Sequence, residues 1–189
     1  MAKVGLDKSA VIAKAAELAN SEGLDAVTLK SLAEVLGIQS PSLYNYVGSL
    51  SELKKELMLY GWRQLEERML RASAGISGYE ALREMSRAFY KYARENKGVF
   101  DAALRYNKFA DGEAMAVTAG LFDVLYRIFE GMNISRENAE HLIRTMRGFL
   151  EGFSLLVNND AFGNPVSVKK SFELSLDVLI EGMKTLEGK

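Results

Sequence analysis

Apolar positions recur every three or four residues along most of the chain, the spacing that gives a helix one inward face. Val11, Ile12, Ala15, Ala16, Leu18 and Ala19 predict a helix over about Asp7–Ser21, closed by Gly23, with residues 1–6 as a short arm before it. Leu29, Leu32, Ala33 and Leu36 predict a short second helix, and Leu43 and Val47 give a third its inward side. From Ser49 to about Arg71 a long helix carries Leu53, Leu57, Tyr60, Leu65 and Arg68. Small residues at Ala72–Gly78 mark the best boundary between two halves. Beyond it the pattern predicts helices to about Asn96, over Gly98–Tyr106, over Asp111–Gly131, from Ser135 to about Val157, and over Val168–Leu186. Ser49-Leu50-Ser51-Glu52 and Ser77-Gly78-Tyr79-Glu80 both have the form of a capping box.

The punctuation between Thr28 and Val47 is the most telling. Thr28 can cap the second helix, because its hydroxyl can accept from a backbone N–H that has no helical partner. Gly37 follows where a helix ends in a left-handed residue, which a Cβ disfavours. Ser40-Pro41 restarts the chain, serine as cap and proline where no backbone bond is lost. Helix, glycine turn and helix form a helix-turn-helix, in which the second helix enters the DNA major groove. Its open face carries Gln39, Ser42, Tyr44, Asn45 and Tyr46. Gln, Asn and Ser can reach base edges, and Tyr and Ser hydroxyls can bond phosphate. The alternative is a plain structural corner whose tyrosines only pack.

The segment Leu6–Leu57 resembles the DNA-binding domain of the TetR family of bacterial regulators. The resemblance is carried by Ile12 to Ala16, Glu22 to Leu29, Leu32 to Ile38, Ser42 to Val47 and Ser49 to Leu53. The Leu43-Tyr44 pair followed by a second aromatic, Tyr46, is its most specific part. Further on, Ala161-Phe162-Gly163, Ser171-Phe172 and a last helix ending near Gly182 resemble one subgroup of that family. The family usually places a phosphate-binding lysine where this chain has Leu50, so that contact is missing or passes to Lys54 or Lys55. The resemblance implies an all-α fold, a helix-turn-helix domain at residues 1–49, a connecting helix 49–71, and a ligand-binding and dimerisation domain at residues 72–189. It implies a homodimeric repressor in the cytoplasm that binds a palindromic operator in double-stranded DNA and leaves it when a small hydrophobic effector binds.

Composition narrows the chemistry. The chain has 189 residues, only two prolines, no cysteine and a net charge of −1. Scarce proline with abundant alanine, leucine and glutamate favours helix throughout. No stretch approaches the roughly 18 apolar residues of a membrane span, and no signal peptide is visible. Disulfide and thiol chemistry are excluded. Within residues 1–60 the lysines are Lys3, Lys8, Lys14, Lys30, Lys54 and Lys55, against the acids Asp7, Glu17, Glu22, Asp25, Glu34, Glu52 and Glu56. Phosphate binding there requires local placement of charge, and not an overall basic domain. Thr28, Lys30, Ser40, Lys54 and Lys55, near helix starts, are the candidates.

His141 is the only histidine, and no catalytic or metal-binding constellation accompanies it, so no enzyme and no cofactor are expected. The second half is rich in aromatics, including Phe100, Tyr106 and Phe109. Each of these packs in a helical core or lines a pocket between helices, since ligand sites are mostly apolar with a few polar groups. Phe89, Tyr92, Phe122, Tyr126 and Phe149 are the ligand candidates, with Arg105, Asn107, Arg144 and Arg147 as polar contacts or solvent-facing charges. In the resembled family the last two helices pair across a dimer axis; that places Leu142, Phe149, Phe153, Leu176, Ile180 and Met183 at an interface. The rival function is a helical protein-interaction module without a DNA target.

Overall fold

The computed structural model describes residues 6–106 and 112–188. Residues 1–5 of the expected arm, with Lys3, lie outside the described residues, as do Asn107, Phe109 and the side chain of Tyr106. Among the described residues every regular element is helical. The α-helices are α1 (Lys8–Glu22), α2 (Leu29–Leu36), α3 (Leu50–Ala72), α4 (Gly78–Glu95), α5 (Lys97–Tyr106), α6 (Gly112–Gly131), α7 (Arg136–Asn158) and α8 (Val168–Lys184). Short 3-10 helices cover Leu24–Ala26 and Ser40–Asn45. None of the described helices is long and apolar enough to cross a membrane. The chain forms two compact units, residues 1–64 with 95–117, and residues 65–94 with 118–189.

In the first unit, α1 starts at Asp7, whose carboxylate accepts from the Ala10 N–H at 2.8 Å. The inward face of α1 buries Val11, Ile12, Ala15, Ala16, Leu18 and Ala19. These pack with Leu24, Val27, Leu32, Ala33, Leu43, Val47, Leu53 and Leu57. The core is closed by α5, which brings Val99 and Ala102. The approach of α5 to α1 depends on Gly98: a Cβ there would lie 1.8 Å from the Ala19 carbonyl oxygen. Asn20 secures the same junction. Its Oδ1 accepts from the Val99 N–H at 3.0 Å, which satisfies an N–H of the first turn of α5 that has no helical partner, and its Nδ2 donates to Asn96 at 3.2 Å.

In the second unit, α4 buries Ala81, Leu82, Met85, Phe89, Tyr92 and Ala93. From α7 come Ala139, Ile143, Met146 and Leu150, and from α8 come Phe172, Leu176, Ile180 and Met183. One stripe of α4 is tied by polar pairs to α8 and to the residues just after it. The Tyr79 hydroxyl donates to Glu187 at 2.6 Å, Arg83 pairs with Asp177, and Arg87 reaches Glu173 at 2.6 Å. On α7 the buried stripe passes through Leu150 and Ser154 and leaves Leu155 and Leu156 outside, at 44% and 45% exposure.

Candidate nucleic-acid interface

The segment Thr28–Val47 folds as sequence chemistry predicts at its start and differs in the middle. Thr28 Oγ1 accepts from the Ser31 N–H at 3.0 Å, and Ser31 Oγ accepts from the Thr28 N–H at 3.0 Å. This is a reciprocal cap with serine in the place usually taken by Glu or Gln. Gly37 sits at φ 67°, ψ 30°. The Ile38 N–H reaches back to the Ala33 carbonyl at 3.0 Å and the Gly37 N–H to that of Glu34 at 3.1 Å, the two bonds of a Schellman closure. The next segment, Ser40–Asn45, is a 3-10 helix. Its cap position is Gln39, with no side-chain capping bond; Ser40, expected as the cap, is the first residue inside. Only six residues separate the Gln39 turn from Tyr46, and Pro41 gives no N–H, so a winding whose bonds close over three residues instead of four suits so short a stretch.

Leu43 is fully buried and anchors this segment, with Val47 beside it. Tyr46 is half-buried and packs on the same core. The outward side carries Gln39, Asn45 and Tyr44, the last 59% exposed. Ser40 and Ser42 are half-buried. Thr28 is exposed, but its hydroxyl is engaged in the cap. The Lys30 ammonium lies 4.0 Å from Glu34, with its side chain 84% exposed. Exposed pairs of this kind are worth little, so a phosphate can displace the carboxylate. Lys54 and Lys55 are half-buried, and Lys55 pairs with Glu113 at 2.6 Å. Val35 on α2 is 44% exposed and lies outside the apolar stripe of that helix.

Where α3 begins, Ser49 Oγ accepts from the Glu52 N–H at 3.0 Å, and Glu52 accepts from the Gly48 N–H at 2.8 Å. The reach-back therefore goes one residue beyond the expected box. The Gly48 N–H and then Lys8 hold the Glu52 carboxyl below the ordinary 4.5. Asp7 is likewise lowered from 3.8, first by the Ala10 N–H and then by Ser9.

In the second unit Phe89 and Tyr92 are buried, with the Arg68 guanidinium 4.9 Å from the Tyr92 ring centre. Phe122 and Tyr126 lie half-buried with ring centres 6.3 Å apart. The Tyr126 hydroxyl donates to Glu140, and Arg136 covers its ring at 3.0 Å. Burial, and then Glu140, raise the Tyr126 pKa. Phe149 belongs to another aromatic group, 5.6 Å from both Phe153 and Phe172. Arg105 is engaged with Asp101 and Asp25 in the first unit, and Arg147 with Glu151. Of the residues expected at a partner interface, Leu142, Phe149 and Phe153 are half-buried. Leu176, Ile180 and Met183 are at most 2% exposed and face their own chain's core. The apolar side chains of α8 that face outward are Leu174 and Val178, at 65% and 63% exposure. Their i, i+4 spacing was visible in the sequence but is overshadowed by the stronger stripe beside it.

The family described as "Tetracyclin repressor-like, C-terminal domain" matches residues 82–179. The uncharacterized HTH-type transcriptional regulator YobS of Bacillus subtilis (strain 168) is 28% identical over 182 residues, which cover 96% of this chain and 94% of that one. Among solved structures, a TetR variant from Acinetobacter baumannii AYE in complex with minocycline superposes with a TM-score of 0.78 at 23% identity, over 98% of this chain and 100% of that one. The Streptomyces coelicolor TetR family protein ActR in complex with actinorhodin superposes with a TM-score of 0.75 at 16% identity, over 98% and 100%. A helix-turn-helix with an open polar face stands at one end of the chain, and the family's own C-terminal domain spans more than half of it: the protein belongs to the TetR family and is a DNA-binding transcriptional regulator.

Proposed function

We propose that the protein is a homodimeric repressor that holds a palindromic operator and leaves it when a small hydrophobic effector binds. The observation that carries this reading is the 3-10 segment Ser40–Asn45, anchored by Leu43 and presenting Gln39, Tyr44 and Asn45 outward. Residues 1–49 read the DNA, α3 connects, and residues 72–189 hold the effector and the second copy. Gln39 and Asn45 supply groups for base edges, and Tyr44, Ser42 and Lys30 supply phosphate contacts. Lys54 and Lys55 take over the phosphate contact that Leu50 cannot make.

One such segment spans only a few base pairs, so useful specificity requires two copies spaced by a turn of DNA. The exposed Leu174 and Val178 on α8, with Leu155 and Leu156 on α7, offer an apolar surface for the second copy. The minocycline and actinorhodin complexes of the two relatives support response to a small molecule. An effector acts only through a difference in affinity between the operator-bound and released conformations. A gel shift on the DNA flanking the protein's own gene tests the reading. Retarded DNA that is displaced by specific unlabelled competitor supports it. Absence of any specific complex at micromolar dimer overturns it in favour of a protein-interaction module.

A further inference from the structure

We infer that the seam between α4 and α7 binds a small neutral aromatic molecule that carries a hydrogen-bond donor, a phenol or an arylamine. The inference rests on the effector reading above and names the chemistry of that effector. Three buried polar atoms carry it. Ser154 is 0% exposed and Tyr90 8% exposed, and neither hydroxyl has a hydrogen-bond partner within the protein. Asn158 Oδ1 is buried and likewise lacks one. Folded proteins satisfy nearly all such atoms, because an unpaired buried group loses its water and gains nothing.

The three groups share one seam. Asn158 Nδ2 donates to the Ala93 carbonyl at 2.9 Å, which joins the ends of α7 and α4. Ser154 lies one helical turn before Asn158, and Tyr90 one turn before Ala93. The Tyr90 ring meets Phe153, the neighbour of Ser154, at 5.9 Å. Around them the walls are aromatic: Tyr90 stacks on Phe172 at 4.2 Å, and Phe149 lies 5.6 Å from Phe172.

The donor requirement follows from the amide. Because Nδ2 is spent on Ala93, the atom left over is Oδ1, which only accepts. The ligand must therefore bring a donor, while the two hydroxyls can turn to suit either polarity. Neutrality follows from the charges nearby. Arg87 is matched by Glu173 and Glu84 and Arg147 by Glu151, while the guanidinium of Arg94, exposed to water, lies 5.7 Å from the centre of the Tyr90 ring; a buried ion would therefore give up its hydration to three uncharged groups. An aromatic body follows from the walls, which favour stacked and edge-on ring contacts.

The test uses the full chain with phenol, toluene and benzoate as probes, followed by calorimetry and thermal shift. Phenol should bind at least tenfold more tightly than toluene, and benzoate should not bind. Ser154→Ala and Tyr90→Phe should each weaken phenol at least fivefold and leave toluene unchanged. Both variants should keep wild-type helicity and an unliganded melting temperature no lower than wild type. Equal affinity for phenol and toluene, or phenol affinity unchanged in both variants, overturns the inference. So does a crystal structure grown with phenol in which ordered water alone meets the three atoms. A gel shift run alongside separates the two readings. Operator binding without phenol binding removes this inference and leaves the repressor reading; phenol binding without any operator complex does the reverse.

Discussion

Replacing Gly98 with alanine should destabilise the protein through a single methyl group. The added Cβ would lie 1.8 Å from the Ala19 carbonyl oxygen, 2.2 Å from its carbon and 2.9 Å from the Asn20 nitrogen. All three are backbone atoms, so no side chain can swing away. An ordinary contact begins at 3.4 Å, so α5 must retreat from α1 by about 1.6 Å. That retreat stretches the Asn20–Val99 bond of 3.0 Å and opens space beside Val99 and Ala102, both almost fully buried. Overpacking costs about 1–3 kcal/mol, and a lost hydrogen bond with its partner left buried adds about 1 kcal/mol. A total of about 3 kcal/mol is a large part of the usual 5–15 kcal/mol margin, roughly. For a chain of this size it lowers the melting temperature by about 6–12 °C. Thermal unfolding followed by circular dichroism, at one fixed protein concentration, measures it. Gly182→Ala is the control, since a Cβ there meets nothing within 4 Å. It should leave the midpoint unchanged or slightly raised. A Gly98→Ala protein that melts within a degree or two of wild type would refute the close approach of α5 to α1.

Tyr44→Ala should weaken operator binding by about 1–3 kcal/mol in a gel shift while leaving the melting temperature unchanged, because the side chain is 59% exposed; unchanged affinity counts against the proposed contact. Asp7 and Glu52 are held below their ordinary 3.8 and 4.5, so their contribution to stability is complete above those values and is lost as pH falls through the lower folded ones. Melting temperature followed downward from pH 6 should therefore drop below about pH 4, and Asp7→Asn with Glu52→Gln should flatten that part of the curve. Val178→Asp, at a position 63% exposed, should leave the monomer folded and abolish the homodimer in light scattering. Leu176→Asp, at a position 0% exposed, should abolish folding, and equal behaviour of the two variants would sink the proposed face.

The local rules reached far into this chain. Asp7, Thr28, Gly37 and Ser135 act where their chemistry places them, because a cap depends on a few neighbouring residues. The all-helical fold follows from the same spacing. What escaped was long-range. Nothing in the sequence pairs Asn20 with Val99, because that bond joins residues 79 positions apart. The 3-10 winding at Ser40–Asn45 also escaped, because a short segment with one proline fits either helix. On α8, Leu176, Ile180 and Met183 were expected at a partner interface, because spacing alone does not say which side of a helix faces its own core. The core took Leu176 and Ile180, and Leu174 and Val178 were left outside.

The return of α5 to the first unit has a consequence for synthesis. The chain leaves that unit at residue 64 and comes back to it only at residue 95. Until α5 is made, the backbone of Ala19 and the apolar face around Ala15 lack the helix that covers them. At elongation rates of about 5–20 residues per second, the gap between residue 64 and the end of α5 lasts roughly 2–8 s. During that time a nascent first unit exposes a sticky apolar surface, which is the condition that recruits chaperones. The same arrangement restricts how such a protein can evolve. Exchanging everything after residue 72 for a foreign sequence would discard Gly98, Val99 and Ala102, and the helix-turn-helix would lose part of its own core. New C-terminal halves are therefore acquired only by sequences that keep a small residue and a helix of this length where α5 meets α1.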